Sequence, residues 1–140
     1  MVRQDFVDLV ALALGIRPPV IEYIDRINTD TQMGGANPEI WRVGVRSSLA
    51  EPDQYFTVAH EMRHLWQTQH MPQAFREYRS NAVLSVKAYN LQAAEIDANG
   101  FAMLMMQLCF RITPLFNGLD ETVKRRIAER AEEIARELNP

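Results

Sequence analysis

A chain of 140 residues, 47% of them hydrophobic, is sized for one compact core and so for a single domain spanning residues 1–140. A formal net charge of −3 supplies no basic footprint for nucleic acid or an anionic membrane surface. No segment reaches the roughly 20 apolar residues that a bilayer-spanning helix needs, so a soluble, cytoplasmic protein without nucleic-acid or membrane partners is expected.

At the N-terminus, Phe6, Val7, Leu9, Val10, Ala13 and Leu14 recur at helical spacing, and Gly15 followed by Pro18 and Pro19 ends the run. Asp5 and Asp8 interrupt this apolar stretch and no small-residue cleavage site follows, which favours an amphipathic core helix over a signal peptide. Residues Val20 to Ile27 alternate as a strand with one wet face, and Asn28 to Asp30 with Gly34 to Pro38 supply turn chemistry. Ile40 to Arg46 alternates again, Trp41, Val43 and Val45 opposing Arg42, Gly44 and Arg46, and reads as an edge strand. A small antiparallel sheet is the economical inference.

The next helix carries the chemistry. Asp53 is a plausible N-cap, and Tyr55, Val58, Met62, Leu65 and Trp66 form a buried stripe. Another face carries His60 and His64, whose spacing brings both imidazoles to one cation. Glu61 stands beside the first of them, where its carboxylate can flank a metal without ligating it and deprotonate a metal-bound water. Only three residues of this HExxH pattern are fixed, so it needs a third ligand and a partner that orients the imidazoles. Both residue types occur downstream in Ala94 to Ala102, where Glu95 and Asn99 share a helix face. One could ligate while the other binds the far nitrogen of a histidine.

Taken together, HEMRH and EIDANGFA resemble the gluzincin zinc peptidases, especially the minigluzincins and more distantly the ImmA/IrrE metallopeptidases, over about Tyr55 to Met106. The resemblance implies one zinc ion per chain held by His60, His64 and Glu95, with Glu61 as general base for peptide-bond hydrolysis. Many gluzincins carry aspartate four residues after the ligand glutamate, whereas this chain has Asn99, which can orient a histidine but brings no charge. Asp97 faces elsewhere on an ideal helix and ranks below Asn99 for that role. The implied substrate is a peptide or protein, added as a further strand along residues 40–46. His70, Tyr78 and Tyr89 are candidates for oxyanion stabilisation.

Between His70 and Tyr89, Met71-Pro72 breaks the helix, residues 75–79 could form one turn, and residues 81–88 are ambiguous. An apolar helix is expected from Leu91 to Phe110, with Phe101, Leu104, Met105, Leu108 and Phe110 buried, Cys109 a buried thiol, and Gly100 allowing close packing on the motif helix. Asp120 then caps a final helix to Leu138, with an apolar stripe of Val123, Ile127, Ala131, Ile134 and Leu138. The expected fold is α+β and zincin-like: a small twisted antiparallel or mixed sheet packed on the HExxH helix, with about three further helices. Two alternatives keep the same sequence features without hydrolysis: a non-catalytic zinc-binding module and a metal-free helical interaction domain.

Overall fold

A computed structural model of the chain describes residues 1–25, 32–79 and 83–139. Among them are six helices and a three-stranded sheet, an α+β arrangement. Helix α1 (Gln4–Leu14) buries Phe6, Val7, Val10, Ala11 and Leu14, and Gly15 closes it in the left-handed region at φ 68, returning its N–H to the carbonyls of Ala11 and Leu12. Strands β1 (Val20–Ile24), β2 (Gly34–Asn37) and β3 (Arg42–Arg46) follow. The end of the expected first strand, residues 26 and 27, and the expected turn at residues 28–30 lie outside the described residues.

Two sequence expectations about the sheet are corrected here. The strand at 40–46 is not an edge: β3 is central, paired parallel with β1 and antiparallel with β2, so the sheet is mixed. A peptide therefore cannot add along residues 40–46. The arginines of this strand are occupied within the sheet region, Arg42 by Glu22 and Arg46 by the carbonyl of Gln32. In turn, Gly34 to Asn37 forms strand β2 rather than a turn, and β2 and β1 flank β3 as the outer strands. The glycine there marks a close approach. A Cβ on Gly34 would stand 2.5 Å from the Gly44 carbonyl oxygen and 2.6 Å from Cγ2 of Thr57, so the edge strand lies flat on the following helix.

That helix, α2 (Glu51–His70), runs for 20 residues. It starts earlier than expected, with Ala50 at the N-cap position; Asp53 lies in the first turn, where its charge complements the helix dipole. Tyr55, Val58, Met62 and Leu65 are buried against Val43 and Val45 of the sheet and Phe101, Ala102 and Met105 of a later helix, while Trp66 is only partly buried. Two short helices, α3 (Pro72–Glu77) and α4 (Val86–Leu91), occupy the connection, and they account for the excess over the expected four; residues 80–82 lie outside the described residues.

Helix α5 (Ala93–Phe110) is broken from α4 at Gln92 rather than continuous from Leu91. Burial ends at Met106. Leu108 is 67% exposed, facing away from the core, while Cys109 is partly buried and Phe110, 39% exposed, packs one side on Phe6 and Tyr55 at centroid distances of 5.6 and 4.8 Å. Helix α6 (Glu121–Leu138) is capped by the Asp120 carboxylate accepting from the Thr122 N–H, and buries Val123, Ile127, Ala131 and Ile134, with Leu138 exposed at the frayed end. Gly100 packs against α6 and not α2: a Cβ there would stand 3.1 Å from the Ala131 nitrogen and the Arg130 side chain. Helix α5 is thus wedged between α2 and α6. No helix of the described residues is long and apolar enough to cross a membrane.

Candidate metal centre

The fold brings four of the chemically suggestive side chains to one place. His60 and His64 project from the middle of α2, one turn apart, and Glu95 enters from the first turn of α5. The Nε2 atoms of the two histidines are 3.1 Å apart; the Glu95 carboxylate places Oε2 3.2 Å from His60 Nε2 and Oε1 3.2 Å from His64 Nε2. Ligands about 2.0 Å from the centre of a tetrahedron stand about 3.3 Å from one another, and each histidine nitrogen meets the other nitrogen and its own carboxylate oxygen at close to that spacing. His60, His64 and Glu95 form a group that could hold a metal ion. Glu61 lies beside the triangle, Oε1 3.8 Å from His60 Nε2.

The outer nitrogens of both imidazoles are committed. His60 Nδ1 lies 2.8 Å from Oδ1 of Asn99, and His64 Nδ1 lies 2.7 Å from Oε1 of Gln67. An amide oxygen only accepts, so each Nδ1 must carry the proton and each neutral ring presents an Nε2 lone pair to the centre of the triangle. Two such lone pairs and a carboxylate repel one another unless a cation or protons stand among them. The donor set therefore fits a divalent cation such as zinc. Here Asn99 stands where the sequence suggested; Asp97 does not touch either histidine.

Electrostatics follow from burial. Burial works against a cationic ring at both histidines, but Glu95 overrides it: His60 is raised above its ordinary value and His64 is pushed up to about 9. Burial likewise opposes the Glu95 anion, and the two imidazoles hold it below the usual carboxylate range. Glu61 goes the other way. Desolvation raises it although both histidines pull it down, which moves a would-be general base toward neutrality.

Of the three candidate oxyanion donors, two reach the site. Tyr89 donates its O–H to Glu95 Oε1 at 3.0 Å, and the Tyr78 oxygen is 2.6 Å from that of Tyr89. Since the single Tyr89 proton goes to the carboxylate, Tyr78 donates to Tyr89. Burial pushes Tyr78 up to about 12 and raises Tyr89 further, so both stay protonated donors. His70 is elsewhere: it is exposed, stacked on Trp66 at 4.6 Å, with Nδ1 3.2 Å from the Trp66 carbonyl oxygen. The short helices of the connection thus serve to carry the two tyrosines over Glu95.

Sequence reasoning missed a buried polar cluster behind the triangle. Asp97, 1% exposed, receives a two-pronged contact from Arg63, 2.7 and 2.9 Å, and from Arg130 Nε and Nη2 at 2.9 and 2.8 Å. Gln67, fully buried, donates through Nε2 to Asp97 Oδ2 and to the Ala94 carbonyl. Burial disfavours the Asp97 anion, yet the guanidiniums and Gln67 hold it below its ordinary value. Gln67 follows His64 by three residues and so shares its face, a spacing visible in the sequence; the arginines from two different helices carried no such signal. Comparison with protein families, curated proteins and solved structures yields no match for this chain.

Proposed function

We propose that the chain is a zinc-dependent endopeptidase of zincin-like fold, resembling the gluzincins, in which His60, His64 and Glu95 hold the metal and Glu61 is the general base. The observation that supports this reading most directly is the cluster of two imidazole nitrogens 3.1 Å apart, each 3.2 Å from its own oxygen of the Glu95 carboxylate, flanked by the second carboxylate of Glu61. A zinc ion bound there supplies Lewis acidity and brings the pKa of water from about 15.7 toward about 7.

The chain's own groups divide the remaining work. Glu61, raised by burial, accepts the proton of the attacking water and delivers it to the departing amine. Asn99 and Gln67 hold His60 and His64 in the Nδ1–H tautomer with Nε2 turned inward. Tyr89 fixes the Glu95 carboxylate, and Tyr78, donating to Tyr89, is the group nearest to hand for a developing oxyanion once a substrate competes for it. A peptide substrate extends along β2, which among the described strands pairs only with β3 and whose Gly34 lies against the α2 turn that carries Glu61.

Elemental analysis of the purified protein beside His60→Ala, together with a peptide-library cleavage assay on wild type and Glu61→Gln, tests the proposal. About one zinc per chain, lost in the alanine variant, is expected, and Glu61→Gln should keep its zinc while cleavage falls by about 10²- to 10⁴-fold. A wild type that refuses added zinc, or a Glu61→Gln variant of full activity, would refute it.

A further inference from the structure

The metal triangle is backed on one side by an amide with no freedom to turn. Gln67 lies in α2 with 0% exposure, and all three of its polar contacts are buried: Nε2 donates to the Ala94 carbonyl at 2.8 Å and to Asp97 Oδ2 at 2.9 Å, while Oε1 faces His64 Nδ1 at 2.7 Å. The two acceptors on the α5 side decide which end of the amide is which. A flipped Gln67 would turn its oxygen against a carbonyl and a carboxylate and its NH₂ against the N–H of His64, three like-with-like encounters at a fully buried position. Asp97 is itself immobile, gripped by Arg63 from α2 and Arg130 from α6.

We infer that Gln67 is a positioning residue for His64, its amide polarised and locked by Asp97 so that His64 is held as the Nδ1–H tautomer with its Nε2 lone pair aimed at the metal. The relay runs Asp97 to Gln67 to His64, and its role is separate from packing. Asn99 does the same for His60 from the front of α5 but meets no comparable ionic anchor among the described residues, so His64 is the more constrained ligand there. This inference rests on the metal-binding reading and adds to it the means by which one ligand is oriented.

The test compares zinc affinity, measured by competition with a chromogenic chelator, in wild type, Gln67→Met and Gln67→Glu, with the melting temperature of each metal-free protein recorded alongside. Gln67→Met keeps the volume and removes the acceptor for His64; a 10- to 100-fold weaker zinc affinity is expected. Gln67→Glu restores the acceptor for His64 but sets a carboxylate beside Asp97 and loses both donated bonds, so it should be no more stable than the methionine variant yet bind zinc within a few-fold of wild type or tighter. Affinity that simply follows stability, with both variants equally weak, would assign Gln67 a packing role and overturn the inference, as would Gln67→Met binding within threefold of wild type. If the methionine variant does not fold, Gln67→Glu decides: zinc retained supports residue 67 as the acceptor that positions His64, zinc lost overturns it. Failure of the metal-binding reading has a different signature, a wild type that takes up no zinc at all.

Discussion

Protons and zinc compete for the same three atoms, which makes the pH dependence of metal uptake a direct consequence of the site's electrostatics. In the metal-free protein His64 is pushed up to about 9 by Glu95, so at pH 7 it holds its proton in all but about 1% of molecules. Zinc must displace that proton, which at pH 7 weakens its apparent affinity about 100-fold relative to pH values above 9, and His60, also raised, adds to the competition. Affinity should therefore rise with pH, by up to about tenfold per unit for each proton displaced, and level off beyond about 9. Glu95, held below the usual range, is already ionised and contributes no step here. The stability of the metal-free protein carries the opposite sign. His64, whose folded value is raised, contributes stability that is fully present below its ordinary 6.5 and is lost as pH rises through about 9. Glu95, whose folded value is depressed, contributes stability present above its ordinary 4.5 and lost as pH falls. Metal-free protein should melt highest between those limits, and the increment added by zinc should widen from pH 6.5 to 9, reaching about 2.7 kcal/mol where free zinc is 100 times the dissociation constant. Titration calorimetry in buffers of different ionisation enthalpy counts the protons released. Zinc affinity that is flat from pH 6 to 8, with no proton released, would refute this account of the site.

Other substitutions separate the parts of the site. Glu95→Ala removes one ligand and the counter-charge of both histidines; zinc should be lost from dialysed protein, and His64, monitored by NMR titration in the metal-free state, should fall from about 9 toward or below its ordinary value. Asp97→Ala leaves the 3% exposed Arg63 guanidinium buried without its partner and should cost about 3–5 kcal/mol in denaturant unfolding, whereas a loss under 1 kcal/mol would mean the cluster is looser than its geometry. Gly34→Ala drives a methyl into the Gly44 carbonyl and Thr57, so about 1–3 kcal/mol of stability should go, and because β2 must lift from α2, cleavage of a peptide should suffer beyond that loss while zinc content does not.

How much of this was legible in the sequence depended on whether the deciding contact was local. Spacing along a helix is local, so the pairing of His60 with His64, the shared face of Glu95 and Asn99 and the Asp120 cap could all be read from the chain. The order of the sheet is not. Two arginines flanking Val43 and Val45 look the same on an edge strand as on a central one whose neighbours supply a glutamate and a carbonyl, and Gly34-Gly35 looks the same in a turn as in a strand pressed on a helix. The same holds for the ends of helices: in the apolar run MLMMQLCF the last turn packs through Cys109 and one side of Phe110, leaving Leu108 exposed where periodicity alone buries it. The role of Asp97 is not legible in the sequence, because a buried carboxylate announces itself only through its cations, and these come from α2 and α6.

The buried cluster around Asp97 also bears on why the metal triangle is so closely drawn. Apolar contacts of Val58, Met62 and Leu65 with Phe101 and Met105 supply the attraction between α2 and α5, but such contacts tolerate sliding, and replacing a buried ion pair by hydrophobic residues often leaves stability unchanged or higher. What apolar packing does poorly is to fix register. A slip of one residue between the helices moves their side chains by about 1.5 Å along the axis, and one turn by about 5.4 Å, either of which would carry Glu95 out of reach of two nitrogens that it now meets at 3.2 Å. Arg63 is the residue immediately before His64, and Asp97 lies two residues after Glu95; the fork between them, with Gln67 bridging the same two helices, penalises every slipped arrangement by leaving charges unpaired in the interior. Arg130 extends the lock to α6, whose backbone approaches α5 closely enough at Gly100 to put its guanidinium on the same carboxylate. A polar core that adds little net stability is in this way what holds three helices in the single register that places two imidazoles and a carboxylate around one point.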